Sequence, residues 1–161
     1  MATTPRPVFI YGTLCAKPLL AWALTGDATR TEETSALLRP AKVEGIARYA
    51  LHGFDYPAAV RERGSCTYGY LLQPKTRSQR KKLDDFEGEA YQTETVQARL
   101  LSDESETQTA EGLIEADVYL WNGVRDLVSD KSWDLEWFVR ERLEDWIDLF
   151  EGMEMVGDDG G

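Results

Sequence analysis

One glutamate stands out among the residues that could do chemistry, because of its spacing from two apolar neighbours. Leu83, Phe86 and Glu87 lie at positions i, i+3 and i+4 of a predicted helix, so they share one helical face. If the apolar side chains pack into the core, the carboxylate is carried inward with them, and burial raises the pKa of a carboxyl group. A raised pKa suits a general acid–base near neutral pH. The alternative is a glutamate at a helix end that swings out to water.

Backbone groups near the N-terminus form a second candidate site. Val8 to Tyr11 is a run of four apolar or aromatic residues that predicts a buried strand, and it stops at Gly12-Thr13. A helix is predicted to begin near Lys17-Pro18, since proline is tolerated in a first turn. N–H groups left unpaired between such a strand and helix can hold a carboxylate or phosphate. The alternative is a plain strand-to-helix turn.

Other catalytic chemistries find little support. His52 is the only histidine, which excludes multi-histidine metal sites and leaves any Ser–His or Cys–His pair dependent on one residue in a predicted surface turn. Cys15 lies near a helix start, where a thiol can become acidic, but a buried, inert thiol is the preferred interpretation. The acidic residues between 84 and 89 lack the glycine-centred spacing of a calcium loop. None of these patterns therefore predicts a metal site.

Composition narrows the class of protein. The 161 residues are 42% hydrophobic and 29% charged, which suits one globular domain over 1–161, with a folded core at 7–151 and flexible ends at 1–6 and 157–161. The net charge of −11 disfavours nucleic acid and anionic membranes as partners. Two cysteines and no signal-like or membrane-spanning apolar segment predict a cytosolic protein with reduced thiols.

The elements that must position these residues are short strands with helices between them. Strands are predicted at 8–11, 42–51, 67–73, 91–101 and 113–121, with an extended edge segment at 54–60, a turn at 61–64 and an acidic hairpin loop at 102–111. Gly69 within a strand indicates a bulge or a close approach of backbone. About five strands with inserted helices predict an α+β fold: a small, mostly antiparallel β-barrel or curled sheet flanked by helices.

Three helices accompany these strands. The first runs from 17–18 and ends at Gly26, and the second opens with a capping box, Thr76 and Gln79, and ends at Gly88. The third is predicted at 133–151 with Ser132 as its cap. Its apolar stripe comprises Leu135, Val139, Leu143, Trp146 and Phe150. The stripe is expected to pack on the barrel, with a partner-binding helix as the alternative.

Four stretches of the chain carry a resemblance to a known family. The run FIYGTL at 9–14 resembles the opening signature of the γ-glutamylcyclotransferase-like family, in particular its avirulence-induced branch. FDYPAAV at 54–60, YGYLL at 68–72 and LDDFEGEAYQTETV at 83–96 follow in matching order. The resemblance spans residues 8–121, and LDDFE followed by a tyrosine is its most specific part. It identifies the family more strongly than it identifies a substrate.

The resemblance implies a compact barrel with a cavity at one end and an enzyme that needs no metal or cofactor. Glu87 occupies the position of the family's catalytic glutamate. A γ-glutamyl amino acid, peptide or amine would bind with its α-carboxylate at the backbone amides of Gly12, Thr13 and Leu14. The amine freed by Glu87 would then attack the γ-carbonyl of the same molecule and release 5-oxoproline.

Further residues follow from the resemblance. Tyr11 and Tyr91 are candidates to hydrogen-bond the substrate or steady Glu87, although a phenol satisfied by backbone is an equally good interpretation of Tyr91. Pro57 is expected to line the cavity. Thr93 departs from the family, many members of which have arginine there. That departure leaves open a non-catalytic, small-molecule-binding or regulatory protein on the same barrel, and also an enzyme that cuts a related amide.

Overall fold

The computed structural model describes residues 5–87, 91–101 and 113–151. Six strands and five helices account for most of this part of the chain. In order they are β1 (Val8–Ile10), α1 (Lys17–Thr25), α2 (Thr31–Ser35), β2 (Leu38–Leu51), β3 (Pro57–Leu72), α3 (Arg77–Glu87), β4 (Tyr91–Leu100), β5 (Leu113–Trp121), β6 (Val128–Ser132), α4 (Leu135–Glu141) and α5 (Leu143–Glu151).

Five of the strands close into a barrel. Their order is β3-β1-β5-β4-β2, and β2 pairs again with β3, while β6 extends the sheet from β2. The pairing of β1 with β5 is parallel, and the other strand pairs are antiparallel. The predicted α+β fold, a mostly antiparallel barrel flanked by helices, is confirmed.

The apolar side chains form two clusters, one on each face of the barrel wall. Phe9 belongs to the inner cluster with residues such as Val43 and Val118. Its neighbours Val8 and Ile10 belong to the outer cluster, which the helices cover. Successive side chains of a strand point to opposite faces, so a strand covered on both sides must be apolar throughout. That is why β1 is a continuous apolar run.

Strand β3 corrects the prediction for residues 54–64. Pro57 is the first residue of β3, a position where its missing N–H is tolerated, and pairing with β2 continues to Leu72 instead of stopping at a turn. The register moves from Glu44 opposite Cys66 to Ile46 opposite Arg61, so the predicted turn is an enlarged bulge within one strand. Gly64, with φ of +89°, lies in this bulge.

Gly69, the glycine of the YGYLL stretch, lies where the backbones of β3 and β1 come close together. A Cβ atom on Gly69 would lie 2.1 Å from the carbonyl oxygen of Ile10 and 3.2 Å from the ring of Phe9. Both distances are too short for a side chain without movement of β1. Gly69 therefore allows β3 to lie against β1, as the sequence indicated.

Helix α3 is capped as predicted. The N–H of Gln79 donates to Thr76 Oγ1 at 3.1 Å, and Gln79 Oε1 accepts from the N–H of Lys75 at 2.7 Å. Helix α1 ends at Gly26, which has φ of +82°. The predicted stop at Gly88, the acidic loop at 102–111 and the tail at 157–161 lie outside the described residues.

The C-terminal helix is not continuous. It is divided at Arg142 into α4 and α5, and its cap is Asp134, whose Oδ1 accepts from the N–H of Glu136 at 3.0 Å, not Ser132. The predicted stripe is partly wrong, because Phe138 is fully buried and Val139 is 44% exposed.

Helix α2 and strand β6 were not predicted, because their residues are mostly polar and the surrounding fold decides their conformation.

No helix in the described part of the chain combines the length and the apolar character needed to cross a bilayer.

Candidate active site

Glu87 is the last described residue of α3 and is held toward the interior by the helix. Leu83 is fully buried, Phe86 packs against the outer cluster, and Glu87 itself is half-buried. Burial, with a further contribution from the negative charge of Asp84, raises the pKa of the Glu87 carboxyl from 4.5 to about 8. No hydrogen bond or ion pair joins Glu87 to any described residue. Such a carboxyl can both accept and release a proton near neutral pH.

The two aspartates before Glu87 have different surroundings. Asp85 points outward and lies 3.0 Å from Lys81 Nζ. Asp84, in contrast, accepts hydrogen bonds from the phenol of Tyr119 at 2.6 Å and from Arg80 Nε at 3.1 Å. Because Tyr119 lies 35 residues away from Asp84 in the sequence, no local pattern indicates this contact.

The segment after β1 presents backbone donors next to this carboxyl. A short 3₁₀ turn covers Thr13–Cys15, with the N–H of Cys15 donating to the Gly12 carbonyl oxygen at 2.9 Å. The N–H groups of Gly12, Thr13 and Leu14 donate to no residue that the structure describes. These three donors remain available to an anionic group of a ligand.

Pro57 packs directly on this segment. A Cβ atom on Gly12 would lie 3.1 Å from Cγ and 3.2 Å from Cδ of Pro57, so the start of β3 forms one wall beside the free N–H groups. The phenol of Tyr91 donates to the carbonyl oxygen of Pro57 at 2.7 Å. Gly12, Pro57 and Tyr91 are thus brought together from three separate strand ends.

Both tyrosines expected at the site donate their phenolic protons to backbone. Tyr11 donates to the carbonyl oxygen of Tyr119, as Tyr91 does to that of Pro57. Burial raises the pKa of both phenols, and the negative charge of Glu87 adds to the effect in each. Both phenols are therefore neutral and lie in the field of Glu87, with oxygen lone pairs that can still accept a hydrogen bond.

Arg48 is a residue of this region that sequence reasoning missed. Its Nη1 donates to the carbonyl oxygen of Tyr11 at 2.7 Å, and its guanidinium lies 5.5 Å from the ring centroid of Trp133. The only available signal was an arginine between the apolar positions of a predicted strand.

The nearby thiol of Cys15 is buried, and burial raises its pKa to about 12, so it is not a nucleophile at neutral pH.

An aromatic cluster next to Tyr91 was also missed. The ring centroid of Tyr91 lies 6.4 Å from that of Tyr56 and 5.7 Å from that of Trp121, and Tyr56 lies 6.2 Å from Trp146. The preceding residue, Asp55, holds this loop in place by accepting from Arg142 Nε at 2.9 Å and from Trp146 Nε1 at 2.8 Å. Because these contacts join 55–56 to 121–146, no local pattern predicts them.

Thr93 and His52 are both exposed. Thr93 lies on the surface of β4, opposite Tyr119 in the strand register, and His52 is in an exposed turn. Within the described ranges, no group of three or more histidine, cysteine, aspartate or glutamate side chains is arranged to hold a metal ion.

The family model for "Gamma-glutamyl cyclotransferase, AIG2-like" matches residues 8–135. The chain therefore belongs to the AIG2-like gamma-glutamyl cyclotransferase family. Among its relatives is AIG2-like protein D of Arabidopsis thaliana, which is 26% identical over 146 residues, 91% of this chain and 87% of that protein. AIG2-like protein C of the same plant is 28% identical over 140 residues, 87% of this chain and 73% of the relative.

Solved structures share the fold. A solution structure of an Arabidopsis thaliana protein superposes with a TM-score of 0.59 at 22% identity, covering 93% of this chain and 84% of that one. The crystal structure of a glutathione-specific gamma-glutamyl cyclotransferase from yeast gives 0.50 at 16% identity, covering 74% of this chain and 69% of the yeast chain. At these identities the likeness concerns the fold.

Proposed function

We propose that this protein is a γ-glutamylcyclotransferase, which converts a γ-glutamyl amino acid, peptide or amine into 5-oxoproline and the released amine. The observation that carries the proposal is Glu87: an inward carboxyl with a pKa raised to about 8 and no partner among the described residues. Membership of the AIG2-like family supports the same reaction.

The substrate is held at its α-carbon by two sets of groups. Its α-carboxylate accepts hydrogen bonds from the N–H groups of Gly12, Thr13 and Leu14, which have no described acceptor. Its α-ammonium group faces Glu87, where the phenol oxygens of Tyr11 and Tyr91 can accept hydrogen bonds. Pro57 limits the space beside Gly12.

The reaction is an intramolecular acyl transfer. The Glu87 carboxylate takes a proton from the α-ammonium, and the free amine attacks the γ-carbonyl carbon of the same molecule. Protonated Glu87 gives that proton to the leaving nitrogen as the bond between this nitrogen and the γ-carbon breaks. The second proton of the attacking nitrogen then passes through Glu87 to the released amine, which departs as an ammonium ion and leaves the lactam with one N–H. Atoms and charge balance without water. Holding the substrate folded makes the attack unimolecular, which can replace much of the catalytic effect of an external nucleophile.

Thr93 favours a second candidate, a binding or regulatory protein on the same barrel. An exposed threonine stands where many family members have arginine. If that cation contributes to turnover, its absence leaves a cavity that binds a γ-glutamyl compound without converting it. The two candidates differ in product formation and not in ligand affinity.

The deciding experiment measures release of 5-oxoproline from γ-glutamyl amino acids, γ-glutamyl amines and glutathione. Glu87→Gln keeps the size of the side chain and removes its ability to exchange a proton. Asp85→Asn is the matched control, because this carboxylate lies on the same helix but points outward to Lys81. We expect turnover of at least one substrate class, abolished in Glu87→Gln and retained in Asp85→Asn.

Two results would contradict the mechanism. Near-normal activity in a folded Glu87→Gln variant would remove the proposed general base. Binding of a γ-glutamyl compound without turnover of any substrate would establish the binding protein instead, and adding arginine at position 93 (Thr93→Arg) would then test whether the missing cation is the cause.

A further inference from the structure

A line of charged side chains runs from the barrel surface to the helix that carries Glu87. Arg6 Nε lies 3.1 Å from Asp117 Oδ1, and Arg80 Nη1 donates to Asp117 Oδ2 at 2.7 Å. Arg80 Nε then donates to Asp84 Oδ1 at 3.1 Å. Arg80 is thereby fixed between two carboxylates, and its side chain is only 18% exposed.

The inner end of this line contacts the candidate active site. Asp84 Oδ1 also accepts from the phenol of Tyr119 at 2.6 Å, and the carbonyl oxygen of Tyr119 accepts from the phenol of Tyr11. Asp84 precedes Glu87 by three residues on α3, and residues at this spacing are neighbours on a helix surface. The position of the Asp84 carboxylate beside Glu87 is therefore fixed by two hydrogen bonds.

Few charged groups of the described residues act on Glu87. Among the described residues, the titratable groups that interact with it are Tyr11 just after β1, Cys15 from the 3₁₀ turn, Tyr91 from β4, Tyr119 from β5 and Asp84 from its own helix. Burial raises the pKa of the three phenols and of the thiol, so all four are neutral at physiological pH. Asp84 is the charged member of this described set, and Arg80 is its counter-ion.

We propose that the Arg80–Asp84 pair sets the protonation of Glu87, with Arg80 acting as a positioning residue through Asp84. The inference deepens the proposed function and rests on it for its catalytic consequence. The effect of the pair on the pKa of Glu87 can be measured in the ligand-free protein, whatever reaction the protein performs. The carboxylate of Asp84 favours the protonated form of Glu87, and the guanidinium of Arg80 offsets part of that effect.

The two partners have opposite effects on the pKa of Glu87. Asp84→Asn removes a negative neighbour and keeps an oxygen that can accept from Tyr119, so we expect the pKa to fall by about half a pH unit or more. Arg80→Gln leaves the charge of Asp84 less compensated, so we expect the pKa to rise. Arg80→Lys retains the charge and is expected to restore most of the original value.

The experiment is a carbon-13 NMR titration of the Glu87 side-chain carboxyl in the ligand-free protein, with Glu87→Gln used to assign the signal. The matched controls are Asp85→Asn and Lys81→Gln, which alter the neighbouring i,i+4 ion pair of α3, joined at 3.0 Å but directed to solvent. At physiological ionic strength we expect these controls to leave the pKa of Glu87 unchanged within about 0.2 pH unit.

A double variant tests whether Arg80 acts through Asp84. Asp84→Asn combined with Arg80→Gln should raise the pKa of Glu87 above that of Asp84→Asn alone, but by less than Arg80→Gln raises it in the parent. The reason is that only the direct field of the guanidinium at Glu87 is then lost, and no Asp84 charge is left unpaired. The proposal is overturned if Asp84→Asn and Asp85→Asn shift the pKa equally, or if neither shifts it. It is also overturned if Arg80→Gln lowers the pKa.

The pH profile of 5-oxoproline formation adds the catalytic readout. We expect the acidic limb of the kcat/KM profile to shift to lower pH in Asp84→Asn and to higher pH in Arg80→Gln. Each shift should equal the change in the pKa of Glu87 measured in the titration. If the titration shifts as expected and no substrate is turned over, the electrostatic inference stands and the proposed function fails. If turnover is confirmed and the titration does not shift, the proposed function stands and this inference fails.

Discussion

The phenol of Tyr91 donates a hydrogen bond of 2.7 Å to the carbonyl oxygen of Pro57, and this bond joins β4 to the first residue of β3. We expect Tyr91→Phe to lower the free energy of unfolding by about 1 kcal/mol. It should also raise KM, because the bond holds the wall beside Gly12 and, in the proposed mechanism, the phenol oxygen faces the substrate ammonium. Urea unfolding and steady-state kinetics measure the two effects.

Tyr70→Phe is the matched control for this change. Tyr70 also packs against the outer cluster, but its hydroxyl has no hydrogen-bond partner among the described residues. Its removal should alter neither stability nor KM. Equal effects of the two substitutions would show that the Tyr91–Pro57 bond has no special importance.

The contact between Gly12 and Pro57 predicts a specific binding defect. In Gly12→Ala the new methyl group would lie 3.1 Å from Pro57 Cγ, so the proline ring and the free N–H groups must move apart by a few tenths of an ångström. We expect KM to rise about tenfold or more, since small displacements of positioning groups have large kinetic effects, while stability falls by only about 1 kcal/mol. An unchanged KM would argue against substrate binding at this turn.

Gly69→Ala should affect the fold and not the site. Its methyl group would lie 2.1 Å from the carbonyl oxygen of Ile10, and backbone cannot yield as a proline ring does. We expect a loss of about 3 kcal/mol in the free energy of unfolding, at the upper end of the usual cost of overpacking. Chemical denaturation compares this variant with Gly12→Ala, and the reverse order of stability would contradict the assignment of the two contacts.

The raised pKa of Glu87 predicts that stability depends on pH. The unfolded chain loses the Glu87 proton near pH 4.5 and the folded chain holds it to about pH 8. Between these values the folded state binds more protons, so this residue lowers stability as pH rises, by up to about 1.4 kcal/mol per pH unit. Below pH 4.5 and above pH 8 its contribution is constant.

Glu87→Gln removes this dependence. We expect the variant to be more stable than the parent at pH 8.5, with little difference at pH 4.5, in urea titrations at both values. Asp85→Asn should not behave in this way, because its carboxylate is solvated and paired at the surface. A parent protein whose stability is as pH-dependent as that of Glu87→Gln would show that the carboxyl is not desolvated.

Several features of the fold could be predicted because they depend on neighbouring residues. The capping box at Thr76 and Gln79 and the helix stop at Gly26 both follow from local stereochemistry. The face shared by Leu83 and Glu87 follows from the helical period. Residues within one turn constrain each other in any tertiary context.

The errors occurred where distant contacts decide the local structure. The bulge in β3 replaced a predicted turn because β2 supplies a pairing partner on both sides of it. The last helix breaks at Arg142, whose guanidinium is held by Asp55, 87 residues earlier. Neither partner lies within the stretch of sequence from which a local pattern is read. The pattern of apolar residues therefore predicted one long helix where there are two, and a turn where the strand continues.

The sequence by itself determined a barrel with helices around it, placed Glu87 on the inward face of α3, and carried the motifs of its family. The tertiary structure decided which groups surround that carboxyl: Tyr11 and Tyr91 with their protons given to backbone, and Asp84 held by Arg80 and Tyr119. The physical reason is range. Helical period and turn chemistry act over a few residues, whereas the field at a buried carboxyl depends on charges brought close by folding.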